Sequence, residues 1–274
     1  MLSAAEIAAY HRDGYHLPLP VLSAAEAAAA RARLEAIEAA QGGPLRAAMR
    51  HKPHLLFPWL NDLVRHPRIL DAVAQLLGPD LLCWSSTFFI KEASDPGFVS
   101  WHQDATYWGL SAPDVTTVWL ALTPANRANG CMKFIPRTHT SQVGHRDTFD
   151  PDNLLTRGQE LEVTVEEADA VLAQLAPGEA SLHHVMLFHG SEPNRSADRR
   201  IGLAIRYIPT RLRQIAGERD SATLVRGQDR FGHFEPEPAP AAELDPRALA
   251  LHAAIMERQR RVLYRGTDRA DFRA

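Results

Sequence analysis

A chain of 274 residues, 45% of them hydrophobic and 23% charged, has the length and composition of a globular protein with a full core, not of a disordered or fibrous chain. Thirty Lys and Arg against 33 Asp and Glu leave a net charge of −3, so no global field draws in a nucleic-acid backbone or an anionic membrane. Two cysteines, Cys83 and Cys131, sit in apolar strand-like windows as free thiols, the pattern of a cytoplasmic protein.

In chain order, the opening segment is amphipathic but broken by His11, Arg12 and Asp13, so it reads neither as a signal peptide nor as a membrane span. Ser3 is placed to cap a short helix over residues 4–12 that Gly14 ends, and Ser23 a second over 24–40, where Ala, Glu, Arg and Leu are strong helix formers. Pro67 leads into a third, with Ile69, Leu70, Val73, Leu76 and Leu77 at helical spacing and Gly78-Pro79 as its stop. From Leu81 the texture changes to β-branched and aromatic runs: LLCWSSTFFIK, GFVSWHQDATYW, TTVWLAL, CMKFIP, LEVTV, ASLHHVMLFHG and RIGLAIRYIP. Short strands between Gly, Pro and Asn turns predict a sandwich or barrel instead of alternating βαβ units. The whole chain, 1–274, then reads as one domain: a helical part over about 1–80, a β core over about 81–210 and a C-terminal helix over about 246–262. Residues 138–178 form a less regular segment with a short helix at 166–175, long enough to act as a lid. The final residues, 271–274, lack the Ser-Lys-Leu peroxisomal address.

The chemistry centres on His102-Gln103-Asp104. If this stretch is a strand, period-two alternation puts His102 and Asp104 on one face, where an imidazole and a carboxylate could reach one metal. Alone, the pair reads equally well as a solvated loop or a His–Asp hydrogen bond. His189, at the end of an apolar strand, adds the second imidazole of the facial triad used by non-haem iron(II) oxygenases, which leaves three positions open. Arg200 then begins a strand in which Gly202 and Ala204 share its face and leave room for a ligand. A guanidinium is suited to gripping a carboxylate in two places, and Ser191 can add a hydroxyl donor. Sandwich sheets lie roughly 10 Å apart, a gap that a five-carbon diacid bridges from metal to Arg.

With these residues in place, the chain resembles the phytanoyl-CoA dioxygenase-like branch of the iron(II)/2-oxoglutarate-dependent oxygenases, which includes ectoine hydroxylase. The resemblance rests on His102-x-Asp104, His189-x-Ser191, Arg200, the stretch NGCMKFIPRTH and the opening LSAAEIAAYHRDGY, and covers most of the chain. It implies a mainly β fold with flanking helices, a double-stranded β-helix (jelly-roll, cupin-like) core. It also implies iron(II) on His102, Asp104 and His189 as the catalytic centre, 2-oxoglutarate held through its C5 carboxylate by Arg200 and Ser191, and dioxygen as the second cosubstrate. The expected outcome is hydroxylation of an unactivated carbon of a small soluble metabolite or natural-product intermediate, with succinate and carbon dioxide as coproducts. Desaturation, cyclisation or demethylation would use the same residues. A catalytically silent metal- or ligand-binding barrel is the reading from another class. Asp104 occupies the position that halogenase relatives leave vacant for chloride.

Arg137 departs from the family's usual Gly and reads as a surface charge or a substrate contact. Tyr107 and Trp108, and Asn153 and Arg157 on the lid segment, are the further substrate-contact candidates: the arginines for an anionic group, the aromatic rings for a cationic one. Lys91 reads as a strand-edge charge in preference to a cosubstrate ligand. His183 shares strand parity with His189, but on one continuous strand it would stand roughly 20 Å away, beyond a shared metal. The expected partners are a small-molecule substrate, with no nucleic acid and no membrane; the sequence leaves the oligomeric state open.

Overall fold

The computed structural model describes residues 1–268, so the terminal residues read above for a targeting address lie outside the described residues. Five helices lead the chain: α1 (Ala4–Asp13), α2 (Ala24–Ala40), α3 (Ala47–Arg50), α4 (Pro58–Leu63) and α5 (Pro67–Leu77). Both long early helices start at reciprocal caps. The Ser3 hydroxyl accepts from the Glu6 N–H while the Glu6 carboxylate accepts from the Ser3 N–H, and Ser23 and Glu26 repeat the arrangement. Gly14 ends α1 in the left-handed conformation, φ +87°. A last helix, α6 (Pro246–Leu263), lays Ile255 and Met256 on Leu55.

The strands are β1 (Tyr15–Pro20), β2 (Leu81–Lys91), β3 (Val99–His102), β4 (Thr116–Ala121), β5 (Met132–Ile135), β6 (His145–Asp147), β7 (Gln159–Leu161), β8 (Val171–Leu172), β9 (Glu179–His184), β10 (Phe188–Ser191), β11 (Arg200–Pro209), β12 (Ser221–Arg226) and β13 (Glu235–Pro236). The large sheet runs β1-β9-β4-β11-β2-β12-β13 and the small one β3-β10-β5-β8, with β6 and β7 paired beside them. This is a jelly roll with helices on one side. Period-two alternation assigns the faces of β11. Ile201, Leu203 and Ile205 join Leu34, Leu60, Ile69 and Val73 in the helix-facing core. Ala204, with Trp119 of β4, packs instead against Met132 and Phe134 of the small sheet. Arg200, Gly202 and Arg206 share Ala204's parity and so face the space between the sheets.

Four expectations change. The helix over 166–175 is a single 3₁₀ turn, Glu167–Asp169, followed by β8, because pairing of Val171 and Leu172 with Phe134 and Lys133 outweighs a weak helix preference. LEVTV contributes to β7 only through Leu161, and Val163 beyond it is exposed. GFVSWHQDATYW stops being a strand at His102, and Asp104–Tyr107 turns as a 3₁₀ helix. ASLHHVMLFHG is two strands, since the chain reverses between β9 and β10 and passes from one sheet to the other. Strands β1, β6, β12 and β13 went unread in the sequence. Among the described residues, no helix is long and apolar enough to cross a membrane.

Candidate active site

His102, Asp104 and His189 come together between the sheets, with one ligand atom from each lying within 4.8 Å of the others. Register does half of this. β3 and β10 pair antiparallel with His102 opposite His189, which sets their rings 4.0 Å apart. The 3₁₀ turn after β3, not strand alternation, then swings Asp104 back, so that its Oδ1 lies 3.4 Å from His102 Nε2. The Asp104 N–H donates to the Val185 carbonyl, 3.0 Å.

Each imidazole is oriented from behind: the Nδ1 of His102 lies 2.9 Å from the Ser100 carbonyl and that of His189 2.9 Å from the Leu187 carbonyl. A carbonyl can only accept, so Nδ1 carries the hydrogen and Nε2 is left with its lone pair. Burial, above all, pushes His189 well below its ordinary value and keeps it neutral. At Asp104 burial would raise the carboxyl, but the surrounding His102, His189 and Arg206 outweigh it and hold it below its ordinary value, so the group stays ionised. Two imidazoles that turn their Nε2 atoms towards one carboxylate fit a divalent metal with open positions.

Gln103, fully buried, ties this turn down. Its Nε2 donates to the Ser141 and Met186 carbonyls, its Oε1 accepts from the Val143 N–H, and its backbone N–H donates to His145 Nε2 at 2.9 Å. It escaped the sequence reading because alternation pointed it away from the metal.

An inner cavity of about 30 Å³ is lined by the triad together with Ser191, Arg200, Trp119 and Arg206. Arg200 is 1% exposed. Its Nη1 donates to the Gly130 carbonyl, its guanidinium lies 5.2 Å from the Trp119 ring centre, and its Nε has no partner. Burial lowers it to about 10, which leaves it charged at neutral pH. Lys91, opposite Arg200 in register, is fully buried because its side chain reaches across to β10 in the facing sheet; it is no strand-edge charge. Its Nζ donates to Ser191 Oγ, 2.7 Å, and to the Ser191 and Glu192 carbonyls. Burial and then Arg200 bring it down to about 6.

Two geometric expectations need correction here. Gly202 does not leave space for a ligand: a Cβ there would fall 1.9 Å from Trp119 Cζ2, so the indole fills the gap. His183 is not some 20 Å from His189, since their ring centres lie 4.7 Å apart across the sandwich. It still stands outside the triad; burial takes it to about 4, and neither ring nitrogen has a partner.

An outer cavity of about 100 Å³ adjoins the first, sharing Phe89, Asp104, Leu155 and Arg206 with it. Tyr107 and Trp108 both line it. The Tyr107 hydroxyl donates to Asp147 Oδ1, 2.7 Å, and Trp108 packs on Trp84 with ring centres 5.0 Å apart. Residues 154–157 of the expected lid close one side. Arg157 is there, but its guanidinium is occupied by Asp147 and by the Leu263 and Arg265 carbonyls. Asn153 is buried beside the cavity and lines neither compartment; its Nδ2 donates to Ser100 Oγ, 2.8 Å, tying the cover to β3. Arg137 lies away from both, its side chain 72% exposed and paired with Asp13.

The comparisons agree with this geometry. The chain shares 32% identity over 158 residues with a probable alpha-ketoglutarate-dependent hypophosphite dioxygenase of Stutzerimonas stutzeri, a match covering 57% of this chain and 54% of that one, so it spans about half the length of this relative. It is 28% identical over 224 residues to the L-proline trans-4-hydroxylase of Streptomyces griseoviridis, covering 72% and 83%. The solved structure of the non-heme monooxygenase ThoJ in its apo form superposes with a TM-score of 0.84 at 38% identity, over 94% of this chain and 96% of ThoJ. The family model of phytanoyl-CoA dioxygenase (PhyH) matches residues 10–202, and the chain belongs to that family.

Proposed function

We propose that this protein is an iron(II)- and 2-oxoglutarate-dependent oxygenase that hydroxylates a small metabolite. The observation that carries the reading is the convergence of His102, Asp104 and His189 within 4.8 Å, with a buried, charged Arg200 in the same cavity. In this reading the two Nε2 atoms and the Asp104 carboxylate hold the metal. Arg200, with its unpartnered Nε, and Ser191 hold the C5 carboxylate of 2-oxoglutarate. When bound, iron(II), 2-oxoglutarate and dioxygen supply the oxidising power, with succinate and carbon dioxide as coproducts.

The chain contributes orientation and exclusion of water. The carbonyls of Ser100 and Leu187 fix the imidazole planes, Gln103 fixes the turn that carries Asp104, and residues 154–157 cover the outer cavity. The 2-oxoglutarate dependence named for the hypophosphite relative and the amino-acid substrate named for the proline relative support the cosubstrate and the substrate size. The test follows succinate formation from 2-oxoglutarate with iron(II) in air while small-metabolite fractions are added. A fraction that accelerates succinate formation and gains oxygen, with both effects lost in His189→Ala, is expected. Turnover that survives His189→Ala, or 2-oxoglutarate that is never consumed, contradicts the reading.

A further inference from the structure

Arg206 is the charged group in this cavity for which the function above has no use. It is 7% exposed, on the same face of β11 as Arg200, and lines the boundary between inner and outer compartments. Its Nη1 donates to Thr87 Oγ1 at 2.6 Å, a neutral acceptor, while its Nε is buried without a partner. The guanidinium sits 5.4 Å from the Trp108 ring centre and 5.8 Å from that of Phe89. Other arginines at the outer cavity are matched, Arg157 with Asp147 and Arg258 with Glu235. Asp104 attracts Arg206, but among the described residues no carboxylate lies within ion-pair distance of it.

A buried cation without a counter-ion costs several kcal/mol of solvation, so a site that keeps one is built to receive an anion. The cosubstrate does not supply it. Iron(II) and Arg200 are together balanced by Asp104 and a dicarboxylate, which leaves the charge of Arg206 over. Its place at the compartment boundary puts the missing anion beside Asp104, with the rest of its carrier in the outer cavity against Tyr107, Trp84 and Trp108. That cavity has room for roughly eight water-sized groups, at ~10–15 Å³ for each.

We infer that Arg206 is the receptor for a carboxylate of the primary substrate, a small organic acid with a flat or apolar body. The inference rests on the proposed function for the order of the two compartments. The anion expected at Arg137 or Arg157 from the sequence is thereby assigned to Arg206.

Benzoate and benzamide are suitable probes because they match in size and shape and differ in charge. Their binding is measured by tryptophan fluorescence, first on protein loaded anaerobically with iron(II) and 2-oxoglutarate, so that Arg200 is occupied, and then on metal-free protein. The loaded wild type is expected to prefer benzoate by at least about tenfold, the strength of a charge-assisted pair. Arg206→Gln should abolish the preference while keeping the 2-oxoglutarate-induced visible band, and Arg206→Lys should keep part of it. Without metal, Arg200→Gln should retain the preference and Arg206→Gln lose it. Equal binding of the two probes by wild type, binding of neither, or a preference that survives Arg206→Gln overturns the inference. A loss in Arg206→Gln that falls on 2-oxoglutarate affinity overturns it too and assigns the residue to the cosubstrate. If Arg206→Gln does not fold, wild type and Arg206→Lys decide. A missing visible band in wild type counts against the iron reading alone, since the metal-free arm still tests Arg206.

Discussion

Trp119 stands where a side chain on residue 202 would be: a Cβ on Gly202 would meet the indole at 1.9 Å, and the same indole supports the Arg200 guanidinium on its face. Gly202→Ala must therefore move Trp119 and, with it, Arg200. We expect a loss of about 1–3 kcal/mol in stability, the usual cost of overpacking, and a weakened response to 2-oxoglutarate with iron binding retained. Chemical denaturation and anaerobic titration check the two halves, and Trp119→Val in the Gly202→Ala background should recover the stability part.

Arg200→Ala is expected to raise the requirement for 2-oxoglutarate by about ten- to a hundredfold, because charge-assisted hydrogen bonds are worth about 1.5–3 kcal/mol. Lysine at this position should recover part of the affinity, since an ammonium cannot form the guanidinium's fork. The neighbouring Arg199 faces the helices and pairs with Glu38 and Glu92, so Arg199→Ala should leave the 2-oxoglutarate requirement unchanged. Titration of all three variants checks the register of β11.

Behind the large sheet, Glu237 is fully buried against Lys52, accepts from Ser221 and Thr223 at 2.8 and 2.7 Å, and lies 3.5 Å from His54. Burial would raise its carboxyl, but the charge of Lys52 first, and then the nearby His54, outweigh this and take it down to about 2. A folded-state value below the unfolded one means that the unfolded chain binds the proton first. The contribution to stability is then complete above about pH 4.5 and is lost as pH falls towards 2. Glu237→Gln should cost about 3–5 kcal/mol near neutral pH by stranding Lys52, and the difference from wild type should shrink across that acid window in denaturation measured at stepped pH.

The cover over the outer cavity is fastened by Asp147, which takes hydrogen bonds from Tyr107 and Arg157. Asp147→Asn removes the charge that holds Arg157. In the proposed enzyme this should uncouple succinate formation from substrate oxidation while leaving the metal in place. Parallel measurement of succinate and oxidised product checks it; unchanged coupling would remove the cover from the account.

Residue type and spacing singled out His102, Asp104, His189, Ser191 and Arg200 before any coordinates, and all five line the inner cavity. The backbone that assembles them was less readable. Asp104 arrives by a 3₁₀ turn and not by strand alternation, and His183 is brought beside His189 by a reversal that a continuous apolar run conceals. Helix limits set by caps and prolines came through closely in α1, α2, α5 and α6, whereas β1, with its two prolines, carried no strand signal. Among the arginines, charge alone could not separate Arg137 and Arg157, which have protein partners, from Arg206, whose partner is missing. The parity that placed Gly202 and Ala204 beside Arg200 extends to Arg206 and was the signal available. Lys91 looked like an edge charge because the partner that buries it, Ser191 of the facing sheet, lies 100 residues further along the chain.

In the proposed enzyme His102, Asp104 and His189 form one iron site with a keto-acid position beside it. The most direct test is anaerobic titration of the purified protein with iron(II) and then 2-oxoglutarate, read as visible absorption. One iron per chain is expected, with a charge-transfer band that appears with 2-oxoglutarate and is abolished in His189→Ala and in Asp104→Ala, while both variants remain folded. A band that persists in those variants, or folded wild-type protein that binds iron(II) and shows no band, would contradict this arrangement.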